Sequence, residues 1–246
     1  MGQDKVSVAC PTYGRPQLLE EAIQGFLQQT YSPKEMIILN DLPGQELIFE
    51  HPDVRIINTN IRFSSFGEKM EYLFNHCDGD YIAWWGDDDI NFSSRLTYGL
   101  EQLKKSKEDA YFSPARTFYS EKNEIKGIVG NGYLGGSLCK KESFKSLMPF
   151  PKVGTQLDSW TCAFFFKNGI KRISPEMKDE EVFYIYRWGT GAYHLSGFGV
   201  DKPNQKTAWE RIGEMIAKNN NFSKVKLLPH WERDYVKDAK SFLLQI

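Results

Sequence analysis

The chain has 246 residues, of which 41% are hydrophobic and 26% are charged, values that are ordinary for a soluble globular protein. Its formal net charge of −1 gives no global electrostatic reason to expect binding to nucleic acid or to a membrane surface. This length allows one large domain or two small ones.

Segments that would direct the chain to a membrane or to an oxidising compartment are not evident. There is no N-terminal apolar signal region and no run of about 18 apolar residues that would span a bilayer. The four cysteines are scattered without a CxxC or zinc-binding spacing, which favours buried free thiols in a reducing compartment. We therefore expect a cytoplasmic enzyme without stable membrane insertion.

The part of the chain before residue 86 alternates between strand-like and helical patterns. Runs of β-branched or apolar residues predict strands at residues 6–10, 36–39, 54–57 and 81–85. Apolar residues at helical spacing predict a helix within residues 17–27, with Pro16 near its first position, and another within residues 66–77. This β-α-β-β-α-β order predicts a mostly parallel sheet with helices on its faces.

Two of these strands end in polar side chains that would meet at one edge of the sheet. Asn40 and Asp41 follow the second strand, and an aspartate triplet at residues 87–89 follows the fourth. Adjacent carboxylates repel one another, and Mg²⁺ or Mn²⁺ would relieve that repulsion, often with substrate phosphates completing the shell. Because ligands of open α/β sheets bind beyond the carboxyl ends of the strands, the triplet is placed to hold a metal–diphosphate. The alternative is that the aspartates cap the following helix and sit in water.

The second half of the chain is predicted to mix short strands with helices. Leucine spacing indicates a helix over residues 96–103, capped by Asn91 or Ser93. Five glycines between Gly127 and Gly136 indicate a segment that is flexible or closely approached by a ligand, with turn formation as the alternative. We expect one α/β domain over residues 1–205 and a C-terminal helical extension over residues 206–246. The other predicted elements are strands at residues 110–112, 117–119, 125–129 and 182–186 and helices at residues 157–166 and 207–218.

Five segments resemble, in the same order, the motifs of one known family. They are an opening strand with a Pro-Thr-Tyr turn at residues 6–15, a strand ending in Asn40-Asp41 where an Asp pair is usual, a DxD-like segment at residues 79–89, a segment at residues 135–141, and Leu157-Asp158 in place of a Glu-Asp motif. Together they resemble the inverting family 2 glycosyltransferases of the GT-A fold, over most of residues 4–200. The resemblance implies an α/β fold of the GT-A, Rossmann-like type, with a mostly parallel central sheet, flanking helices and a short C-terminal extension.

The resemblance implies inverting transfer of a sugar from a nucleotide-diphosphate sugar, in the first place a UDP-sugar, to an acceptor hydroxyl with the help of Mn²⁺ or Mg²⁺. Asp158 would be the general base that takes the hydroxyl proton. Gly86 stands at the first position of the family's Asp-x-Asp-Asp pattern, so Asp88 becomes the main metal ligand, with Asp87 or Asp89 supplying the missing contact. The implied nucleotide-sugar contacts are Pro11, Thr12, Tyr13, Arg15, Asp41, Lys69, Asp87 and Asp88, the metal ligands are Asp88, Asp89 and His194, and the acceptor side is lined by Gly135, Gly136 and Trp160.

Several of these assignments compete with simpler ones. Lys69 is also interpretable as a solvated helix position, Tyr13 as a packing residue, and His194 as a residue that touches neither metal nor diphosphate. Two other functions stay open: a nucleotide-sugar pyrophosphorylase and a non-catalytic nucleotide-sugar or glycan-binding module. The turn after the first strand is a poor match to the Gly-rich phosphate loop of a pyrophosphorylase, and intact Asp88, Asp89 and Asp158 argue against a decayed site. The acceptor (a glycan, a lipid-linked intermediate, a protein or a modified nucleic-acid base) and the oligomeric state are left open.

Overall fold

The computed structural model describes residues 3–106, 109–130, 135–152, 157–188 and 223–246. Its first part follows the predicted order of strands and helices. The short strand β3 is the one element here that the sequence did not indicate. Pro16 occupies the first turn of α1, where its missing N–H leaves no helical hydrogen bond unmade. The elements are β1 (Val6–Thr12), α1 (Pro16–Leu27), β2 (Lys34–Asn40), β3 (Glu46–Ile48), β4 (Val54–Asn58), α2 (Phe66–Asn75) and β5 (Tyr81–Trp84).

The second part adds several short elements that the sequence pattern missed or misplaced. The residue before α3 is Ser94, whose side chain makes no capping hydrogen bond, so the prediction that Asn91 or Ser93 caps this helix was wrong. The strand predicted at residues 182–186 begins at Tyr184. The helix predicted at residues 207–218 lies outside the described residues. The elements are β6 (Ile90–Asn91), α3 (Arg95–Lys105), β7 (Ala110–Phe112), β8 (Arg116–Glu121), β9 (Glu124–Gly130), β10 (Leu138–Lys140), α4 (Lys141–Lys145), α5 (Leu157–Lys167), β11 (Lys171–Ile173), a 3₁₀ turn (Asp179–Glu181), β12 (Tyr184–Trp188), β13 (Lys224–Lys226) and α6 (Tyr235–Leu243).

A seven-stranded sheet in the order β11-β7-β10-β5-β1-β2-β4 forms the centre of the molecule. Its strands are parallel except β10, which is antiparallel to both β5 and β7. The carboxyl ends of β5, β1 and β2 therefore lie side by side at one edge. The α/β fold class and the mostly parallel sheet predicted from the sequence are confirmed.

Alternate residues of the central strands enter two apolar clusters, one on each face of the sheet. Val8 of β1 and Ile38 of β2 pack with residues of α1 and α3 such as Ile23. Ala9 and Leu39, the next residues along, pack with α2 and α5 in the other cluster. Both faces of these strands are therefore buried, and helices cover both faces of the sheet, as is usual for parallel sheets.

Two smaller sheets adjoin the central one. The four-stranded sheet β6-β12-β8-β9 begins directly after the aspartate triplet, and β13 pairs in parallel with β3. Tyr235 and Ala239 of α6 pack with Ile90, Phe118 and Ile185 of the four-stranded sheet. Residues near the end of the chain thus contact the elements that frame the aspartates. No helix among the described residues has the length and apolar character needed to cross a membrane.

Candidate functional site

The three aspartates lie in the loop between β5 and β6, at the carboxyl edge of the central sheet. Asp87 is 2% exposed, and Asp88 and Asp89 are each 5% exposed. The alternative in which they cap a helix and sit in water is therefore wrong. We call residues 86–89 the acidic loop.

Arg15 and Thr12 tie the turn after β1 to the acidic loop. The Arg15 guanidinium bridges two carboxylates, with Nε donating to Asp87 Oδ2 at 3.0 Å and Nη1 donating to Asp88 Oδ2 at 3.0 Å. The Thr12 hydroxyl donates to Asp87 Oδ2 at 2.6 Å. Gly14 between them has a φ of 68°, in the left-handed region that glycine enters without strain. Residues from the first and fourth predicted strands thus meet here, as the sheet order requires.

Lys69 and Asp41 extend this group toward β2. The Lys69 ammonium forms an ion pair with Asp41 and donates to the Thr12 carbonyl oxygen at 2.6 Å. Lys69 is buried, so its interpretation as a solvated helix position was wrong. The half-buried Tyr13 ring lies beside two cations, 4.8 Å from the Arg62 guanidinium carbon and 5.9 Å from Lys69 Nζ. Tyr13 thus offers an aromatic face next to the ion pairs.

The hydrogen-bonded group combines buried carboxylates with buried or nearly buried cations. Arg15 forms ion pairs with Asp87 and Asp88, and Lys69 forms one with Asp41. Burial raises the pKa of Asp87, the Arg15 guanidinium opposes that rise, and the neighbouring Asp88 carboxylate adds to it. Burial also lowers the pKa of Lys69, although the Asp41 carboxylate opposes that effect. Burial thus disfavours the charged forms of Asp87 and Lys69, and the ion pairs counteract it.

A divalent cation fits this donor set when a ligand completes its shell. Among the described residues no three His, Cys, Asp or Glu side chains are grouped so as to hold a metal ion. Mg²⁺ is, however, commonly bound through one or two carboxylates together with substrate phosphates. Asp87 and Asp88 offer adjacent buried carboxylates, which matches that arrangement. His194, the predicted third ligand, lies outside the described residues.

Asp89 faces away from Arg15, toward β12. Its Oδ1 accepts a hydrogen bond from the Arg187 backbone N–H at 3.0 Å, and its Oδ2 accepts one from the Tyr184 hydroxyl. A Cβ added at Gly86 would lie 3.0 Å from Asp89 Oδ2 and 3.1 Å from Asp88 Oδ1. The acidic loop is folded so closely that a side chain at position 86 would press on both carboxylates. This crowding explains why glycine is suited to that position.

The residues predicted for catalysis and for the acceptor side lie on α5 and before β10. Asp158 is half-buried in the first turn of α5, and Leu157 beside it packs in the same apolar cluster as Trp84, at the end of β5. The Trp160 ring packs against Phe150, with centroids 6.0 Å apart. The roles assigned to Asp158 and Trp160 stay predictions.

The two glycines assigned to the acceptor side are each at a position that suits glycine. A Cβ at Gly135 would lie 2.6 Å from the Tyr184 hydroxyl, which itself donates to Asp89. Gly136 has a φ of 84°, which only glycine adopts readily. The segment before β10 therefore passes directly beside the acidic loop, and its assignment to the acceptor stays a prediction.

The profile of glycosyl transferase family 2 matches residues 7–173, about two thirds of the chain, from the second residue of β1 to the end of β11. The chain belongs to this family. The sequence-based recognition of the family is confirmed.

Curated relatives of this family 2 glycosyltransferase are distant and longer. An uncharacterized glycosyltransferase of Rickettsia conorii is 28% identical over 106 residues, which cover 41% of this chain and 17% of the relative. Protein CgeD of Bacillus subtilis is 23% identical over 139 residues, covering 50% of this chain and 30% of CgeD. The chain thus spans less than a third of the length of either relative.

Solved structures show the same fold at low identity. S. aureus TarS residues 1–349 in complex with UDP superposes with a TM-score of 0.56 at 11% identity, over 97% of this chain and 70% of that one. The mannosyltransferase PcManGT of Pyrobaculum calidifontis, in complex with GDP-Man and Mn²⁺, gives 0.57 at 15% identity, over 88% and 70%. At such identities the likeness establishes the fold alone.

Sequence reasoning missed several residues that contact or support the acidic loop. Arg187 and Tyr184 reach it from β12, and Glu21 of α1 binds Arg187. Arg95 is buried beside the Trp85 ring, 4.1 Å from its centroid, and burial lowers the pKa of Arg95 to about 10. These partners are separated from the loop by up to about 100 residues, and no local motif marks them, so the sequence offered no signal for them.

Proposed function

We propose that this glycosyltransferase moves a sugar, with inversion, from a nucleotide-diphosphate sugar to an acceptor hydroxyl, with a UDP-sugar as the first donor to test. The observation that carries the proposal is the buried group of ion pairs beyond β5, β1 and β2. Ligands of open α/β sheets bind at this edge. TarS in complex with UDP-GlcNAc and PcManGT in complex with GDP-Man support a donor of this class.

In this proposal the residues near β1 and β2 hold the nucleoside. Asp41 is kept in place by Lys69 and by the Phe63 backbone N–H, which donates to Asp41 Oδ2 at 3.2 Å. A carboxylate held at the end of β2 is suited to accept hydrogen bonds from a base or ribose. The Tyr13 ring supplies a face for the base, and Pro11 and Thr12 form the floor under it.

Positive charge for the diphosphate comes from Arg15 and, behind it, Lys69. Arg15 is 14% exposed and holds its guanidinium between the Asp87 and Asp88 carboxylates, so it is in place before the donor arrives. Mn²⁺ or Mg²⁺ bound at Asp88, with Asp87 or Asp89 and the predicted ligand His194, would neutralise charge that develops on the departing diphosphate. Asp87 and Asp88 would then serve to hold and orient the metal–diphosphate.

The acceptor hydroxyl needs a base because it is a poor nucleophile. We assign this role to Asp158, in the first turn of α5, with Gly135, Gly136 and Trp160 along the acceptor path. The hydroxyl oxygen forms its bond to the anomeric carbon, its proton passes to the Asp158 carboxylate, and the bond to the diphosphate breaks with its electron pair leaving on the diphosphate. Attack opposite the leaving group inverts the configuration.

The proposal is tested by measuring donor binding and turnover together. UDP and GDP are titrated with and without MnCl₂ by calorimetry and thermal shift, and release of free UDP or GDP from nucleotide sugars is followed. We expect metal-dependent binding of one nucleotide, slow hydrolysis of its sugar, and loss of metal-dependent binding in Asp88→Asn. Binding without any turnover would instead identify a binding module, and formation of a nucleoside triphosphate from pyrophosphate would identify a pyrophosphorylase.

A further inference from the structure

Arg187 of β12 binds the acidic loop through atoms that Arg15 does not contact. Its Nε donates to the backbone carbonyl oxygen of Asp88, and its backbone N–H donates to Asp89 Oδ1 at 3.0 Å. The residue is 1% exposed. One residue therefore holds two consecutive residues of the loop, one through the main chain and one through the side chain.

The other end of the guanidinium is held by α1. Arg187 Nη1 forms an ion pair with Glu21, and both side chains are 2% exposed. Burial alone would lower the pKa of Arg187, but the Glu21 carboxylate outweighs burial and raises it, so the guanidinium stays charged. A planar guanidinium bound at both Nε and Nη1 has a fixed position and orientation.

Residues near the end of the chain form further hydrogen bonds with Glu21. The Tyr235 hydroxyl donates to Glu21 Oε1 at 2.6 Å, and the Glu232 backbone N–H donates to the same oxygen at 3.3 Å. The Trp231 indole N–H donates to the Glu21 carbonyl oxygen at 3.1 Å. Three residues thus donate hydrogen bonds to Glu21, two to its carboxylate and one to its carbonyl oxygen, while the carboxylate binds Arg187.

A buried ion pair of this kind is a weak source of stability, because the cost of removing both charges from water offsets much of their attraction. What it supplies is geometry, since each partner is fixed by several hydrogen bonds at once. The group that this geometry orients is the Asp88 main chain, next to the carboxylate that faces Arg15.

We propose that Arg187 is a positioning residue that sets the orientation of Asp88 for the donor, and that Tyr235 supports it both through Glu21 and directly, by accepting a hydrogen bond from Arg187 Nη1 at 3.3 Å. The proposal rests on the proposed function, in which Asp88 binds the metal–diphosphate. It makes residues near the end of the chain part of the donor site without any contact to the donor.

The test compares Arg187→Lys with Arg116→Lys. Lysine at position 187 keeps the charge opposite Glu21 but cannot reach both Glu21 and the Asp88 carbonyl. Arg116 forms an ion pair with Asp179, in which the two side chains are 37% and 41% exposed, and thus makes the matched control. Hydrogen exchange of the peptide over residues 84–92, measured without nucleotide, reports the loop, and calorimetry with UDP or GDP and MnCl₂ reports the site.

We expect Arg187→Lys to exchange faster over residues 84–92 and to bind the nucleotide with MnCl₂ about 10- to 100-fold more weakly, as for residues that orient metal ligands. Tyr235→Phe should shift both measurements in the same direction by less, and it serves as the main variant if Arg187→Lys does not fold. Arg116→Lys should match the wild type. Wild-type exchange and affinity in folded Arg187→Lys, or a fall in Tm alone, would overturn the proposal.

The two proposals fail in different ways. If the wild type binds neither UDP nor GDP, the proposed function is wrong, whereas the exchange measurement still decides whether Arg187 positions the loop. If the wild type binds nucleotide and folded Tyr235→Phe is unchanged in both measurements, the proposal that Tyr235 supports Arg187 is wrong.

Discussion

Asp158 lies in the first turn of α5, a helix that is apolar along most of its length, and a carboxylate there has two possible roles. As a negative charge near the helix N-terminus it would stabilise α5 by about 0.3–1 kcal/mol, so its replacement by asparagine would cost little stability. As the general base it would lose its proton acceptor on replacement by asparagine, at a cost of about 10²–10⁴ in rate. We therefore expect Asp158→Asn to keep its Tm within a few degrees and its donor affinity, and to lose nearly all transfer.

The control for Asp158→Asn is Asp179→Asn. Asp179 is a partly exposed carboxylate in the 3₁₀ turn, paired with Arg116. The Asp179→Asn variant should transfer sugar at close to the wild-type rate. Near-full turnover in Asp158→Asn would remove Asp158 from the mechanism. A loss of transfer in Asp179→Asn would then indicate Asp179 as the base, and Glu180 and Glu181 would be tested next.

The buried pair of Lys69 and Asp41 predicts a pH dependence of stability. Burial lowers the pKa of Lys69 below its ordinary value of 10.5, so the folded protein releases this proton at a lower pH than the unfolded chain does. Within that window the unfolded chain binds more protons, and the free energy of unfolding rises with pH, by at most about 1.4 kcal/mol per pH unit. The contribution is smallest at neutral pH and grows as the pH approaches 10.5.

The measurement compares the wild type with Asp41→Asn/Lys69→Met, which replaces both charges together. Denaturant unfolding is followed at several values between about pH 8 and pH 10, below the ordinary lysine pKa. The difference in unfolding free energy, wild type minus variant, should increase with pH, because every other titrating group is shared. A difference that stays constant or falls would show that Lys69 is not destabilised as a cation.

At the scale of elements, α2 and the segment before α5 are joined at Gly67. A Cβ added there would lie 2.0 Å from the carbonyl oxygen of Pro151. The Phe150 backbone N–H donates to Glu71 of α2 at 2.8 Å, which holds the same segment one turn further along. The first two turns of α2 therefore hold Phe150 and Pro151 in place.

Gly67→Ala should destabilise the protein even though alanine favours helices by about 1 kcal/mol. The Pro151 carbonyl must move, and forced repacking of this kind costs about 1–3 kcal/mol, which for a domain of this size lowers the Tm by roughly 2–4 °C per kcal/mol. Gly127→Ala is the control, since a Cβ at Gly127 meets nothing within 4 Å. An unchanged Tm in Gly67→Ala would mean that the segment before α5 is held elsewhere.

Long strands and helices were predictable because their periodicity runs over several turns or alternations. β10, β3 and β6 were missed because strands of two or three residues carry no period, and β10 is antiparallel within a mostly parallel sheet. In the site, Asp41 and Asp87 came together as expected, since strand ends of a parallel sheet share an edge. The bridging by Arg15 and the support by Arg187 were not predictable, because each depends on side-chain contacts between segments distant in sequence.

Across the whole molecule the four thiols report how tightly the fold is closed. Cys10, Cys77 and Cys139 are fully buried, and Cys162 is half-buried. Burial raises the pKa of every one of them, that of Cys77 to about 12. Because the thiolate is the reactive form, all four should react slowly in the folded protein.

A thiol reagent such as DTNB should label one cysteine first, and Cys162→Ser should abolish that phase. The other three should react at a rate that follows unfolding, and all four should react at once in guanidinium chloride. Labelling of Cys10 as fast as that of Cys162 in folded protein would contradict the closed central sheet.

The bond between Glu21 and Tyr235 joins residues 214 positions apart. At a synthesis rate of 5–20 residues per second, roughly ten to forty seconds separate the appearance of these two residues on a ribosome. During that interval the strands β1, β2 and β5 can already pair, but the Glu21 carboxylate lacks the hydrogen bond from Tyr235. In a nascent chain the central strands would thus be able to pair before the acidic loop gains the support that Glu21 and Tyr235 give it through Arg187.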